Sequence, residues 1–388
     1  MSFGKAFFSS CLGALTAIIV FCLLGFIFFS MLIGGLAAEK EVVVLDNSVL
    51  LLRLDAQFTE LQKEDPLQGL PVVGQDVPGI GLLQLKESIA HAKDDNKIAG
   101  IFVDVSYPMT GFATLEEIRQ SLLDFRESGK WVVAYNEVMS EGAYYVASAA
   151  NQVYLNPEGE VEFNGLTAQV GFYKKLLDKL EVRPQIFRVG QFKSAVEPFM
   201  LEKMSAENEL QLTEMVNSMY DYMVKRISET RNVPEEKLRE IADKMLVRNA
   251  KAALDAGLVD SLLYKDEFES NLKRRLGLGE GEKIRMVKYS KYRKSFFTGT
   301  GSKNEIAVIV AEGPIIPGTS DDSQQVIAAE TFTDEIKKAR MDDDVRAIVL
   351  RVNSPGGEVR SSDMIWRDIE LARAVKPVIA SMSDYAAS

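Results

Sequence analysis

The sequence predicts an α/β protein built as a tandem repeat of parallel-sheet units behind an N-terminal transmembrane helix. Three observations carry this. Short apolar runs alternate with amphipathic helical stretches, which is the signature of βαβ units. The pattern restarts as a copy of itself after a glycine-bearing linker, and Ala6 to Ala38 holds no charged residue.

The elements follow in chain order. The stretch from Ala6 to Ala38 exceeds the roughly 20 residues that a bilayer core requires. It also exceeds the apolar part of a cleavable signal peptide, about 7–15 residues, although "GGLAAEK" is compatible with a cleavage region. It therefore reads as a retained anchor, residues 1–40. Lys5 and the amino terminus lie on one side, and Glu39, Lys40 and Glu41 on the other, so the positive-inside rule keeps the N-terminus cytoplasmic and exports the body.

Residues 41–298 form the first repeat. "SVLLLRLDA" (Ser48–Ala56), "IAGIFVDVS" (Ile98–Ser106) and "WVVAYN" (Trp131–Asn136) read as buried strands. Residues 62–81, with Pro66, Pro71 and Pro78, read as a loop. Thr114 and Glu117 read as a capping box for a helix that ends at Gly129. Met204 to Glu229 reads as one long helix with Leu212, Met215, Val216, Met219, Met223 and Ile227 on a packing stripe. Gly299 to Asn304 marks the boundary.

Residues 299–388 form the second repeat. "IAVIVAEGPI" answers "VLLLRLDAQF", and "VRAIVLRVN" (Val345–Asn353) answers "IAGIFVDVS". A match this long indicates two related domains in tandem. The second copy stops at Ser388, just past its third strand, and reads as incomplete.

Composition narrows the function. A net charge of -11 argues against nucleic-acid binding. The two cysteines, Cys11 and Cys22, both lie in the apolar stretch, so the body has no disulfide framework and no thiolate metal site.

The repeats differ where chemistry could sit. After its strand the second copy has "VNSPGGEV", with Gly356 and Gly357, where the first has "VSYPMTGF". Two glycines there allow φ > 0 and close approach of a ligand at the carboxyl end of the sheet, or simply a tight turn. Ser388 of one copy stands opposite Glu141 of the other. A serine nucleophile needs a base. The only histidine, His91, precedes the Ile98 strand and so lies toward the amino ends of the sheet. "SNLK" (Ser270–Lys273) has S-x-x-K spacing, but its neighbours are charged and its partner motifs are absent. In "RVGQFKSAVEPF", Lys193 sits among apolar residues. It is either an exposed charge at a helix start or a buried amine able to act as a base.

"FRVGQFKSAVEPF", "RVNSPGG", "AAS" and "LLDKLEV" (Leu176–Val182) together resemble the long form of the signal peptide peptidase A family, bacterial membrane-bound serine peptidases. The resemblance implies a Clp protease/crotonase-like spiral of β-β-α units. It implies Ser388 as nucleophile, Lys193 as general base, and Gly356 or Gly357 as oxyanion-hole donor. It also implies hydrophobic peptide substrates such as signal-peptide remnants, a homo-oligomer (a tetramer in the long form), and a site held near the lipid bilayer of the inner membrane. No metal or cofactor is needed. Two other readings remain: a non-catalytic membrane scaffold of the same fold, and a crotonase-like acyl-CoA enzyme using the same oxyanion geometry.

Overall fold

A computed structural model describes residues 12–26, 42–62, 79–296, 302–320 and 324–387. The chain separates into two compact units, Met1–Val43 and Val44–Ser388. In the first, residues 12–26 are helical, with exposed side chains. No helix among the described residues is long and apolar enough to cross a membrane. The rest of the expected anchor, residues 1–11 and 27–40, lies outside the described residues.

The larger unit contains two sheets, and every strand pair in them is parallel. The first sheet contains β1 (Ser48–Arg53), β2 (Ile98–Asp104), β3 (Trp131–Met139), β4 (Gln152–Val161), β5 (Ser261–Leu262) and β6 (Met286–Lys288). Its spatial order is β5-β4-β3-β2-β1-β6. Helices α1 (Leu82–Asp94) and α2 (Phe112–Arg126) connect β1 to β2 and β2 to β3, and α3 (Glu141–Ala147) follows β3. Val49, Leu50, Leu52, Ile101, Val103, Val132 and Val133 are fully or almost fully buried. Helices cover a parallel sheet on both faces, so its strands appear in sequence as continuous apolar runs. The long helix is present as α4 (Ala206–Arg231), followed by α5 (Glu235–Asp243), α6 (Ala250–Asp255) and α7 (Lys265–Arg275).

The second sheet has the order β9-β8-β7, from β7 (Glu305–Glu312), β8 (Val345–Ser354) and β9 (Val378–Ala386). Helices α8 (Ala329–Met341) and α9 (Val359–Arg373) join them. The repeat is literal. Both ends of α1 and α2 recur in α8 and α9, and the start of β2 recurs in β8, at one offset (329 − 82 = 247). Each copy also carries a small two-stranded parallel pair before its first helix, Phe58–Thr59 with Ile80–Gly81 and Ile315–Ile316 with Ile327–Ala328.

In the first repeat, β6 and the short helix Tyr289–Tyr292 cover the outer edge of β1. There His91 stacks on Phe296 with ring centroids 3.9 Å apart, an ordinary packing role. The corresponding flank of β7 and α8 is an open groove of about 430 Å³, lined by residues including Val308, Phe332 and Ala339.

A buried ion pair joins the two repeats. Arg351 on β8 donates through Nε to Glu60 Oε2 at 2.7 Å and also pairs with Glu117 Oε1 at 2.6 Å. The Glu60 amide in turn donates to the Glu312 carboxylate at 3.0 Å.

Two local expectations are corrected. Helix α2 begins at Phe112 with Gly111 as N-cap, so Thr114 and Glu117 do not form a capping box. The Glu117 carboxylate is engaged with Lys86 and Arg351 instead. Along α4 only the C-terminal half of the stripe packs: Met223 and Ile227 are buried, whereas Met215 is exposed.

Candidate active site

The carboxyl ends of β8 and β9 meet the first repeat at one place. β8 runs into Ser354-Pro355-Gly356-Gly357, and the chain turns there because Gly356 adopts φ +94°, a region that glycine enters without steric cost. A Cβ on Gly357 would lie 2.1 Å from the Ile315 carbonyl oxygen, so a glycine is required for the turn to pack against that strand. The two amides have different fates. Gly356 N–H donates to Ser354 Oγ at 3.1 Å and is buried. Gly357 is exposed, and its N–H takes part in none of the described hydrogen bonds. Of the two glycines, Gly357 is the one with an amide free to meet an oxyanion.

The end of β9 is held beside this turn. Tyr385 N–H donates to Asn353 Oδ1 at 3.2 Å, and Ala387 N–H to the Ser354 carbonyl at 3.0 Å. Asp384 reaches across to the first repeat and accepts from the Gly111 and Thr114 amides. A cavity of about 290 Å³ opens there, lined by residues including Gln57, Met109, Asn353, Asp384 and Tyr385. Ser388 lies outside the described residues. Its counterpart at the repeat offset, Glu141, opens α3, where its carboxylate accepts from Gly165 N–H at 3.1 Å. Burial raises the pKa of Glu141 above the ordinary carboxylate value.

Lys193 is an exposed residue at the start of a 3₁₀ turn, Ser194–Val196. Within this chain it is not the desolvated amine that a neutral base requires, and no described hydrogen bond or ion pair joins its side chain to the Gly357 turn. Its backbone is nevertheless fixed. Arg188 Nη1 donates to the Lys193 carbonyl at 3.3 Å and to Glu197 Oε1 at 3.4 Å. Glu197 is fully buried and also accepts from Ser205 Oγ at 2.5 Å, Ser205 N–H at 3.1 Å and Asn208 Nδ2 at 3.0 Å. Burial acts to raise its pKa, but these hydrogen bonds outweigh burial and hold its carboxyl below the ordinary value. The loop that presents Lys193 is thus closed at its base by a buried carboxylate. Around it Phe187, Val189, Phe192 and Phe199 are exposed, Phe187 at 93% and Val189 at 91%.

Ser270, the S-x-x-K serine, is exposed on α7, as expected of a solvated helix face. Sequence reasoning missed Asp384, Asn353, Arg188 and Glu197. Glu197 carried a signal, being a carboxylate within an otherwise apolar run.

Residues 124–279 match the model of Peptidase family S49. The chain is 34% identical over 368 residues to Protease 4 of Haemophilus influenzae, a match covering 90% of this chain and 59% of that protein. It is 36% identical to Protease 4 of Salmonella typhi, covering 79% of this chain and 51% of that one. It is 33% identical to the chloroplastic serine protease SPPA of Arabidopsis thaliana, covering 80% and 46%. The chain therefore spans about half the length of these relatives. Residues 124–279 thus carry the match to Peptidase family S49, and over most of its length the chain is similar to relatives named Protease 4 and SPPA.

Proposed function

We propose that the protein is a membrane-anchored serine peptidase that cleaves hydrophobic peptides, signal-peptide remnants among them, with a Ser388–Lys193 dyad. The observation that carries this is the free, exposed amide of Gly357 beside the tethered end of the strand leading into Ser388. In this reading Ser388 Oγ attacks the peptide carbonyl. The Lys193 amine takes the hydroxyl proton and returns it to the leaving amine. The Gly357 N–H meets the developing oxyanion, a contact worth about 3–4 kcal/mol in comparable sites.

A neutral lysine has to be taken out of water. The exposed Phe187, Val189 and Phe192 around Lys193 support covering by another copy of the chain, and so a homo-oligomer in which this lysine becomes desolvated. The two parallel repeats, each with a short second strand pair before its first helix, agree with a Clp protease/crotonase-like spiral. The uncharged stretch from Ala6 to Ala38 would hold the site at the inner membrane, with the body on the exported side.

The test is hydrolysis of a fluorogenic hydrophobic peptide by the full-length protein in detergent. Ser388→Ala and Lys193→Arg should each abolish turnover with the fold intact, since arginine keeps the charge but cannot give up its proton. Turnover by Lys193→Arg at the unmodified rate would exclude that lysine as base.

A further inference from the structure

The two repeats cap their second helices in different ways. In the second repeat Glu358 is the N-cap of α9, and its own carboxylate accepts from Ser361 N–H and Ser361 Oγ, both at 2.7 Å. The residue at the same place in the first repeat is Gly111, which has no side chain to offer (358 − 111 = 247). The cap of α2 comes instead from the other repeat. Asp384 Oδ2 accepts from Gly111 N–H at 3.0 Å, Thr114 Oγ1 at 2.7 Å and Thr110 Oγ1 at 3.2 Å. Its Oδ1 accepts from Thr114 N–H at 3.1 Å.

Gly111 is needed here for space, not for conformation. Its φ of −85° and ψ of 178° suit any residue, but a Cβ would lie 2.4 Å from Asp384 Cγ. The counterpart of Asp384 in the first repeat, Glu137, is an exposed residue (384 − 247 = 137). The device is therefore one-sided: the second repeat lends a carboxylate to the first.

We propose that Asp384 is a positioning residue for the nucleophile. It stands four places before Ser388, on the strand end also tethered through Tyr385 and Ala387. A carboxylate gathering four hydrogen bonds at a helix N-terminus is a strong and directional anchor. It fixes the end of β9 against the repeat that carries Lys193. The proposal rests on the dyad reading above. Alignment of reacting groups is sensitive to displacements of about 1 Å, which can cost about 100-fold in rate.

The experiment measures kcat, KM, fluorophosphonate labelling rate and thermal stability in the full-length protein. Asp384→Ala should lower kcat and the labelling rate by about 10- to 100-fold with little change in KM. Asp384→Asn, which keeps the shape, should show the same direction and stands in should the alanine variant fail to fold. The decisive variant is Asp384→Gly with Gly111→Glu, which gives α2 a cap of its own in the manner of Glu358 and also removes the Asp384 Cβ that would lie 2.8 Å from a Cβ at position 111. It should recover the melting temperature but not the labelling rate. Full recovery of labelling by that double variant would show that Asp384 only stabilises the helix, and unmodified labelling in the two single variants would overturn the proposal outright. Ser388→Ala is the control for the underlying reading: persisting hydrolysis there would defeat the dyad and this proposal with it, whereas a silent Ser388→Ala beside normal Asp384 variants would defeat this proposal alone.

Discussion

Arg351→Met removes the cation that the two repeats share. Its guanidinium donates to both oxygens of Glu60, to Ser381 Oγ at 3.0 Å and to Ser383 Oγ at 2.9 Å, and it pairs with Glu117. Only 6% of the Arg351 side chain and 1% of the Glu60 side chain reach solvent. Glu117 retains Lys86, and 24% of its side chain is exposed, so water can partly compensate it. Glu60 loses the only cation it is paired with among the described contacts. Stranding a buried carboxylate in this way costs about 3–5 kcal/mol. Removing both charges, as Glu60→Leu with Arg351→Met, should cost less than Arg351→Met alone, because buried pairs are often replaceable by apolar groups. The assay is urea denaturation of the full-length protein, followed by the fluorescence of Trp131 and Trp366, one in each repeat. The expected result is a drop of about 3–5 kcal/mol for the single variant and a coupling of at least about 2 kcal/mol in the cycle. A loss below about 1 kcal/mol, or a double variant no better than the single, would refute the idea that this pair holds the repeats together.

Gly357→Ala should lower stability by about 1–3 kcal/mol, because the atoms it meets at 2.1–2.8 Å belong to the Ile315 backbone and cannot rotate away. Its kcat should also fall, whereas Gly356→Ala, strained at φ +94°, should lower stability mainly; calorimetry and peptide hydrolysis separate the two. Glu197→Gln should weaken protection of the 188–205 segment from proteolysis at pH 7, since the carboxylate's charged hydrogen bonds are worth about 1.5–3 kcal/mol each. The native Glu197 pKa lies below its unfolded value, so this stabilisation is present above the ordinary carboxylate range and is lost as pH falls through the native value. The difference between Glu197→Gln and the parent should therefore shrink in acid. Carbonate washing should leave the protein in the membrane pellet, and a mature N-terminus near Glu39 would show a cleaved signal instead.

The strands were legible because burial on both faces writes a parallel strand as an uninterrupted apolar run, as in Ser48–Arg53 and Val345–Ser354. The repeat was legible because the elements from Ile80 onward keep one spacing in both copies. Helix ends were less so. A local rule favoured Thr114 as cap, but the cap arrives from Asp384, 270 residues later, and no local pattern encodes a partner at that distance. The environment of Lys193 could not be decided from its neighbours, which fit an exposed charge and a buried amine alike. Apolar residues beside a lysine imply burial only if something covers them, and within this chain Phe187, Val189 and Phe192 are uncovered. The same holds for the N-terminal half of α4, where Met215 is exposed although it fits the helical stripe. Glu197 and Arg188 could be seen as charges but not as a pair, because their meeting depends on the Gly190 turn at φ +97°.

The central claim is that Ser388 attacks with Lys193 as its base, and covalent labelling tests it most directly. The full-length protein is treated with a fluorophosphonate at pH 8, digested and analysed by mass spectrometry. The account predicts one phosphonylated peptide, modified at Ser388, with labelling abolished in Ser388→Ala and strongly slowed in Lys193→Arg. Labelling at another residue, or at an undiminished rate in the Lys193→Arg protein, would contradict it.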